Sequence, residues 1–531
     1  MSIYNRFLPL LKYFVMIIKK IEVKNMEIEL LGTINYKKLE KELSKIDEDK
    51  RLEIMALVKQ TEIEKRSQIV ATAGRLSRFP GDVLEILGIT EEKSFSQNIS
   101  FIKRVIGMGH ASITDHDYLV FAIKNVSPVI EQTIIEERFA SFTIKSRREV
   151  DFSKAGFYTP DFHDKNGNIL ENNEKIKQEY QLYMEGLFKD YEVLKEAGIP
   201  IEDARFVLPY CYYSNIIMGV DAHTLRDMII KYTKTKDKNI QEIREFGERL
   251  KEIAKANIPY IMETIETAKE VNVDPVHEYL INCQTKANLN QDNYQVIDKV
   301  KLLNCTPDID DTILISSIMR RFQLDKKTAT KVYQELCLDD ENFKDQLMQK
   351  IAFEGDGLEL SQASFDFQIP LSYAILTHLT RHRTHSIMVP DFVPNIDLTQ
   401  YKVPPKIASN CLLYYQNIYK SNLRMYNHLK EDYNVCEEDL VYFVLSGNKV
   451  NVLTNIDGKT IRHILELREC NKAQWETRGM AYAMHDEIKK QPNSISFSKI
   501  LGSTCMTQDL CKEGKECCGK ILKLRKKNTK N

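Results

Sequence analysis

The sequence has no apolar run of the ~18 residues that a membrane-spanning helix needs. It also has almost no net charge, because 75 Lys and Arg side chains face 76 Asp and Glu, a formal charge of −1. This balance gives no reason to expect a nucleic-acid or membrane partner, so any anion binding must be local. Residues 1–25 contain Lys12 within an apolar stretch and lack a small-residue cleavage site. We interpret them as an extension before Met26 rather than a signal peptide, with membrane contact as the alternative.

The chain has 11 cysteines, but they are not spaced as they would be in a disulfide framework. Seven are scattered, which suits a reducing cytoplasm. Four crowd into residues 505–518 as C-x5-C-x5-C-C, and four thiolates are enough for a zinc site or an iron-sulfur cluster. The usual C-x2-C pair is absent, and a tail of reduced thiols before a basic end is the alternative. We predict a metal or redox role for Cys505, Cys511, Cys517 and Cys518.

What is present is a globular composition, 43% hydrophobic and 28% charged, in 531 residues, enough for two to four domains. Both halves follow one order: helix, glycine turn, alternating strand, apolar helix, polar motif and two long helices. The first half has predicted strands at 26–33 and 118–126, and helices at 54–76, 130–138, 173–197, 201–208 and 222–268 with a break at Pro259. The second half has predicted strands at 294–303 and 364–369, and helices at 310–321, 343–353, 408–431 and 459–490.

A repeat of roughly 240 residues implies duplicated domains rather than a solenoid. We therefore predict a first domain at 26–271 and a second at 293–495. The linker at 272–292 is placed where Pro275 and a polar run interrupt the helical pattern. Residues 496–531 form a Cys-rich basic tail.

The polar motif of the second half is LTRHRTHS at 379–386, where Arg381, His382 and Arg383 follow an apolar run. Guanidinium groups match phosphate or carboxylate oxygens in pairs, so the cluster predicts a local anion site. A solvated charged face is the ordinary alternative. The matching stretch of the first half, EERFASFTIKSRR at 136–148, begins with two glutamates but ends with Ser146 and Arg148.

Other segments are also unequal between the halves. GHASITDH at 109–116 and ARFVLP at 204–209 have only degraded counterparts in the second half, and LRECNKAQWE at 467–476 has only a degraded counterpart in the first. Together the segments resemble the motifs of the flavin-dependent thymidylate synthases, whose central pattern is R-H-R-x-x-S-x-x-x-x-S-x-R, over residues 26–492. The second half resembles this pattern up to Ser386 but has Asp391 and Val393 at its end. The first half has Glu136 and Glu137 in place of the first Arg-His and keeps the later Ser146 and Arg148.

The resemblance implies an α+β fold of two tandem synthase-like domains, each a twisted, mainly antiparallel sheet with long packed helices. It implies reductive methylation of dUMP to dTMP, with methylenetetrahydrofolate as carbon donor, FAD as hydride carrier and NAD(P)H as electron source. Arg468 would be catalytic, as a fixed cation beside the uracil ring. The implied flavin ligands are Arg381, His382, Arg383, Ser386, Ser77, His110, Ser112 and Asp115, and the implied dUMP ligands are Ser146, Arg148 and Arg205.

The family also assembles as tetramers with shared sites, so a fused pair implies a homodimer that forms a pseudo-tetramer. We expect composite sites that take the Gly-His segment, Ser146, Arg148 and Arg205 from one half, and the RHR motif with Arg468 from the other. Glu136 and Glu137 would repel phosphate, so we expect the flavin site of the first half itself to be inactive.

Each assignment has a structural alternative. His110 could be a turn or core histidine, Ser146 with Arg148 a helix cap beside a surface charge, Arg205 and Arg468 members of helical ion pairs, and Trp475 core packing.

Three hypotheses remain for the whole chain. It is an active synthase with composite sites, a non-catalytic flavin- or nucleotide-binding paralogue, or a flavoenzyme with another acceptor in which the tail cysteines supply electrons. Neutral decay would erode one copy at every motif, whereas here the erosion alternates between the copies. We therefore favour the active synthase.

Overall fold

The structure, a computed structural model, describes residues 18–23, 26–31, 48–235, 239–271, 274–287, 297–340, 342–395 and 397–523. The chain forms two compact units. Unit 1 consists of Met1–Ile201, Leu208–Asn290 and Lys420–Val444, and unit 2 of Glu202–Val207, Gln291–Tyr419 and Leu445–Asn531. Each unit therefore contains a short segment from the other half of the sequence.

The strands are β1 Ile18–Val23, β2 Met26–Leu31, β3 Tyr118–Val126, β4 Ser141–Ile144, β5 Ser214–Asp221, β6 Lys301–Cys305, β7 Ser364–Ser372, β8 Ser386–Met388 and β9 Lys449–Asp457. The α-helices up to the linker are α1 Glu48–Leu76, α2 Val83–Glu91, α3 Phe95–Gly107, α4 Pro128–Ile135, α5 Asn173–Glu196, α6 Ile201–Ala204, α7 Ala222–Lys234, α8 Gln241–Asn257, α9 Met262–Thr267 and α10 Pro275–Ala287. Those that follow are α11 Ile309–Phe322, α12 Lys326–Asp339, α13 Phe343–Gln349, α14 Tyr373–Thr380, α15 Phe392–Asn395, α16 Pro405–Asn410, α17 Leu412–Asp432, α18 Gly458–Arg468, α19 Trp475–Lys489, α20 Ile495–Lys499 and α21 Thr504–Thr507.

The two units contain sheets of matching topology. Unit 1 has the strand order β1-β2-β3-β5-β4 and unit 2 the order β6-β7-β9-β8, and every pairing is antiparallel. If β1 is set aside, the strands of unit 2 follow those of unit 1 one for one. The predicted α+β fold with a duplicated domain is therefore confirmed.

An apolar helix follows the second matching strand in each unit. Helix α4 begins after Ser127, whose side chain accepts from the Val129 N–H, and all of its residues except Thr133 are buried. Helix α14 begins after Ser372, and all of its residues except His378 are buried. Each helix is thus fixed in the core, and the polar motif follows directly after its C-terminal end.

Three long helices of the sequence analysis are interrupted. The predicted helix at 459–490 is two helices, because the Gln474 side chain accepts from the backbone N–H groups of Glu476 and Thr477 and caps a new start. The helix predicted at 408–431 is interrupted at Cys411, which separates α16 from α17. The helix predicted at 222–268 is interrupted at Pro259, as expected. It is also interrupted at Thr235, whose backbone is extended.

Other predictions of secondary structure were incomplete. Strands β1, β4, β5, β8 and β9 were not predicted, although β5 and β9 lie in the interior of their sheets. The helix expected at 343–353 ends at Gln349 and continues as a π-turn. Within the linker, 275–287 is helical because Pro275 suits the first turn of a helix, while 272–273 and 288–292 lie outside the described residues. Of the N-terminal extension, only 18–23 is described.

No helix in the described part of the chain combines the length and the apolar character needed to cross a membrane.

Candidate functional site

A buried carboxylate fixes the strand-to-helix junction of unit 2. The backbone N–H and the hydroxyl of Ser372 donate to the two carboxylate oxygens of Glu476 at 2.8 and 2.6 Å. Burial raises the pKa of Glu476, while Lys402 and Arg205 act in the opposite direction as nearby cations. The start of α14 is thereby tied to the start of α19.

The RHR motif lies at the other end of α14. Arg381 and Arg383 are exposed, His382 is buried, and Ser386 is exposed as the first residue of β8. Two guanidinium groups therefore face solvent on either side of an imidazole that is held inside the unit.

Arg468, the last residue of α18, is held by this motif. Its Nε donates to His382 Nε2 and its Nη2 donates to the His378 carbonyl, both at 3.1 Å. Burial lowers the pKa of His382 to about 3, with further lowering by Arg468, His463, His385 and Arg381. His382 is therefore neutral and acts as an acceptor, so the positive charge here resides on guanidinium groups.

The matching position of unit 1 has the opposite charge. The Tyr232 hydroxyl donates to Glu137 Oε1 and to the Thr133 carbonyl, both at 3.3 Å. These two hydrogen bonds are the counterparts of the two donated by Arg468. Glu137 lies four residues after Thr133, and His382 lies four residues after His378. Lys231 adds an ion pair to Glu137 at 3.2 Å. An acid bound to a tyrosine and a lysine thus replaces the histidine–arginine pair.

The Gly-His segment lies on the surface of unit 1. His110 and Ser112 are exposed at the start of a 3₁₀ turn, Ala111–His116, and Ser77 is exposed after α1. Asp115 is also exposed and pairs with His223 at 2.8 Å. These four candidate flavin ligands therefore lie in loops that are open to solvent in unit 1.

Ser146 and Arg148 follow β4 in the same unit. Both are half-buried, and the Arg148 backbone N–H donates to Ser146 Oγ at 3.3 Å. Arg147, between them, is buried and pairs with Glu131 at 3.3 Å, so the turn is anchored in the core. Arg147 thus anchors the turn that carries the half-buried Ser146 and Arg148.

Arg205 lies in unit 2 with the second half's residues rather than with Ser146 and Arg148. It is buried, and its Nε donates to the Glu202 carbonyl at 3.1 Å. The next residue, Phe206, stacks on Trp475 with ring centroids 5.9 Å apart, and Trp475 Nε1 donates to Asp203 at 2.8 Å. Trp475 thus packs against the segment that unit 2 takes from the first half.

Unit 1 takes a segment from the second half in the same way. The Tyr442 hydroxyl donates to Glu242 Oε2 at 3.1 Å, and Glu242 also accepts from the Ser127 backbone N–H at 2.8 Å and from its hydroxyl. Burial raises the pKa of Glu242 to about 7, partly offset by these donors. Glu242 and Ser127 are the counterparts of Glu476 and Ser372.

The structure brings the tail cysteines together in unit 2. Cys505, Cys511, Cys517 and Cys518 line one small cavity together with Cys470, and all eleven cysteines of the chain are free. Among the described residues, however, no three or more His, Cys, Asp or Glu side chains are arranged to hold a metal ion.

The structure divides the candidates between the units. Unit 2 holds Arg381, His382, Arg383, Ser386, Arg468 and Arg205, and unit 1 holds Ser77, His110, Ser112, Asp115, Ser146 and Arg148. The sequence patterns did not reveal the serine–glutamate pairs or the Glu137–Tyr232 bond. A signal was present for the former, since each half places a serine at the end of its alternating strand and a glutamate in the first turn of its last long helix.

Comparisons with known proteins agree with this duplicated arrangement. The model of the family described as "Thymidylate synthase complementing protein" matches residues 56–260 and 301–492, which is more than half of the chain. Curated relatives are named flavin-dependent thymidylate synthase. That of Geobacter sulfurreducens is 30% identical over 158 residues (29% of this chain, 64% of the relative), and that of Thermococcus onnurineus is 30% identical over 132 (24% and 51%). That of Sulfurisphaera tokodaii is 29% identical over 224 residues (40% and 84%).

The chain thus spans about half to two thirds of the length of the first two relatives. Among solved structures, a UMP/dUMP methylase PolB from Streptomyces cacaoi bound with 5-Br dUMP is 19% identical, covers 39% of this chain and 93% of that chain, and has a TM-score of 0.33. The family model matches in two successive segments, each of which contains one of the matching sheets. The chain therefore belongs to the thymidylate synthase complementing protein family, that of the flavin-dependent thymidylate synthases, with its domain present twice.

Proposed function

We propose that the protein catalyses the reductive methylation of dUMP to dTMP, with methylenetetrahydrofolate as carbon donor, FAD as cofactor and NAD(P)H as reductant. The observation that carries this proposal is the position of Arg468, which donates one hydrogen bond to the neutral His382 and one to the His378 carbonyl. A cation fixed before the reaction stabilises negative charge on a uracil ring without reorganising. Arg468 is the proposed catalytic residue.

The residues beside Arg468 fit a phosphate-bearing flavin. Arg381 and Arg383 are exposed next to Ser386, and guanidinium and hydroxyl donors suit phosphate oxygens. FAD, when bound there, would supply the hydride that completes the methyl group. We propose that Arg381, Arg383 and Ser386 bind it, while His382 acts through Arg468 by fixing the direction of its guanidinium.

The residues of unit 1 that correspond to His382 and Arg468 argue against a second flavin site of the same kind. Glu137 is an acid where His382 stands in unit 2, and Tyr232 supplies no cation where Arg468 stands. Because the acid would repel an anionic ligand, we propose that unit 1 has no flavin site of its own around this position. The losses in the two halves are then complementary, and one complete set of residues remains.

We propose that assembly completes this set. His110, Ser112, Asp115, Ser77, Ser146 and Arg148 in unit 1 would contribute the remaining flavin and dUMP contacts, and Arg205 in unit 2 would contribute to dUMP binding. A homodimer would then be a pseudo-tetramer of four synthase-like domains, at 26–271 and 293–495 in each chain, with a linker at 272–292 and a tail from 496. The eleven free thiols suit a reducing cytoplasm, where we place the reaction.

The proposal is tested by the formation of dTMP from dUMP, methylenetetrahydrofolate and NADPH by the purified, flavin-loaded protein. Arg468→Ala should lower kcat by about 10²–10³-fold, the usual loss when one charge-stabilising donor is removed. The matched control is Tyr232→Phe, which changes the counterpart residue of unit 1 and should leave kcat within about twofold. A colourless protein that binds no added FAD would refute the proposal.

Two alternatives predict different results in the same assay. A non-catalytic paralogue would bind FAD or dUMP and form no product with any of the variants. A flavoenzyme with another acceptor would bind FAD and oxidise NADPH, but would do so without forming dTMP. Neither has a specific observation in its favour, whereas the held guanidinium favours the synthase.

A further inference from the structure

The tail of unit 2 contains a group of thiols that the proposed reaction does not use. A cavity of about 60 Å³ lies between the end of α18 and the tail. Five of the eleven cysteines line it: Cys470, Cys505, Cys511, Cys517 and Cys518. All are free; four are half-buried, and Cys518 is exposed. Oxidants and thiol reagents of small size can therefore reach this cavity from solvent.

Cys511 and Cys517 both line this cavity. A backbone hydrogen bond from Glu513 lowers the pKa of the Cys511 thiol, but the Cys517 side chain acts in the opposite direction, and the pKa is raised overall. The chain between them reverses in a 3₁₀ turn, Gly514–Glu516, with Gly514 at a φ of 54°. Cys518, in contrast, accepts from Asn471 Nδ2 at 3.5 Å. The turn thus brings Cys511 and Cys517 to one cavity, where the Cys517 sulfur also accepts from the Gly519 N–H at 3.5 Å.

Ion pairs hold this turn against α18 and the loop after it. Lys512 donates to Glu466 on α18, and Lys472 pairs with Glu516 at 2.9 Å. One lysine lies directly after Cys511 and one glutamate directly before Cys517, so each arm of the turn is held next to its cysteine. The two ion pairs therefore hold Cys511 and Cys517 at the cavity while both are reduced.

The arrangement favours a pair of thiols over a metal site. A structural zinc site needs four ligands that converge on one point, and the described residues include no group of even three suited to a metal ion. A disulfide needs only two sulfurs in reach of each other. Two thiols that line one accessible cavity are sufficient for thiol–disulfide exchange.

We propose that Cys511 and Cys517 are a dithiol redox site that closes reversibly to a disulfide, with a low-molecular-weight disulfide as oxidant. One cysteine thiolate attacks a sulfur of the oxidant, which forms a mixed disulfide and releases one thiolate. The second cysteine thiolate attacks the first cysteine's sulfur and releases the other. Two electrons pass to the oxidant, and the two cysteine protons convert its halves to thiols. This site does not depend on the proposed synthase activity.

The full-length protein can be tested by mass spectrometry. It is incubated with oxidised glutathione, its free thiols are alkylated, and it is digested with trypsin. Cys511 lies in the tryptic peptide 500–512 and Cys517 in 516–520. A bond from Cys505 or Cys511 to Cys517 or Cys518 joins the two peptides, and fragmentation of the joined pair identifies the two bonded cysteines. A bond between Cys505 and Cys511, or between Cys517 and Cys518, stays within one peptide. The joined pair should form in more than half of the molecules and disappear after reduction with dithiothreitol.

Variants of two cysteines complete the test. Cys511→Ser should abolish the joined peptides, and Cys411→Ser, which changes a half-buried cysteine outside the cavity, should leave them unchanged. The proposal is overturned if the wild-type protein yields only alkylated peptides after oxidation. It is also overturned if the purified protein carries one equivalent of zinc or iron that Cys511→Ser removes.

Discussion

Replacing Glu242 with glutamine should remove much of the pH dependence of the stability of unit 1. In the folded unit, burial raises the pKa of Glu242 from 4.5 to about 7. Below pH 4.5 the carboxyl is protonated in both the folded and the unfolded chain. Between 4.5 and 7 only the folded unit retains the proton, so its stability falls as pH rises, and above 7 the loss is complete.

The size of the effect follows from the shift. About 2.5 pKa units at about 1.4 kcal/mol each give about 3 kcal/mol between pH 4.5 and 8. Glutamine resembles the protonated acid, since it can accept from the Ser127 N–H and donate to the hydroxyls of Ser127 and Tyr442. Glu242→Gln should therefore match the wild type within about 1 kcal/mol near pH 5 and exceed it by about 1–3 kcal/mol at pH 8.

Glu476→Gln is the matched control in unit 2. Glu476 has a serine partner in the matching place, and burial raises its pKa as well, but the nearby cations Lys402 and Arg205 lower that pKa. We therefore expect Glu476→Gln to gain less stability at pH 8 than Glu242→Gln. Urea unfolding is followed by Trp475 fluorescence, because the single tryptophan lies in unit 2, and by far-UV circular dichroism for both units. Equal pH dependence in the wild type and Glu242→Gln would refute the argument, as would equal responses of the two variants.

Two further predictions concern assembly and packing. If sites are completed between subunits, a mixture of Arg468→Ala and Arg148→Ala chains, each inactive alone, should recover about a quarter of wild-type dTMP formation after subunit exchange, because half of the dimers are mixed and each has one intact site. Sites completed within one chain would recover none. A Cβ on Gly447 would lie 3.0 Å from the Phe206 carbonyl oxygen and closer still to two tyrosine hydroxyls, whereas one on Gly479, inside α19, would meet nothing within 4 Å. Gly447→Ala should thus lower the stability of unit 2 by about 2 kcal/mol or more, whereas Gly479→Ala should raise it by about 0.5–1 kcal/mol. Both are measured by urea unfolding, and a loss of stability in both variants would contradict the packing.

The sequence predicted the fold well because its patterns are local. Alternation identified β3 and β7, and a continuous apolar run identified α4 and α14. The helix breaks at 469–474 and Cys411 were missed because they depend on caps and on packing, which hydrophobic periodicity does not record. Strand β9 alternates clearly, but its neighbours on both sides come from distant parts of the chain.

The candidate site was only partly predictable. The motifs located Arg468 and the RHR cluster, but nothing in the sequence indicated that His382 would accept from Arg468 and so be uncharged. The sequence showed only that the first half has a degraded counterpart of 467–476, the segment in which Tyr232 takes the place of Arg468. The bond of Tyr232 to Glu137, which makes the two substitutions one coupled change, required the structure.

The exchange of segments between the units has a consequence for synthesis on the ribosome. Unit 1 needs Lys420–Val444, which is translated after most of unit 2. At about 5–20 residues per second, the earlier part of unit 1 waits on the order of ten seconds or more for its last segment. During this time Glu242 lacks its Tyr442 partner, and the surface that will receive Lys420–Val444 is uncovered. A truncated chain that ends at the linker should therefore aggregate, and supplying the second half as a separate polypeptide should rescue it.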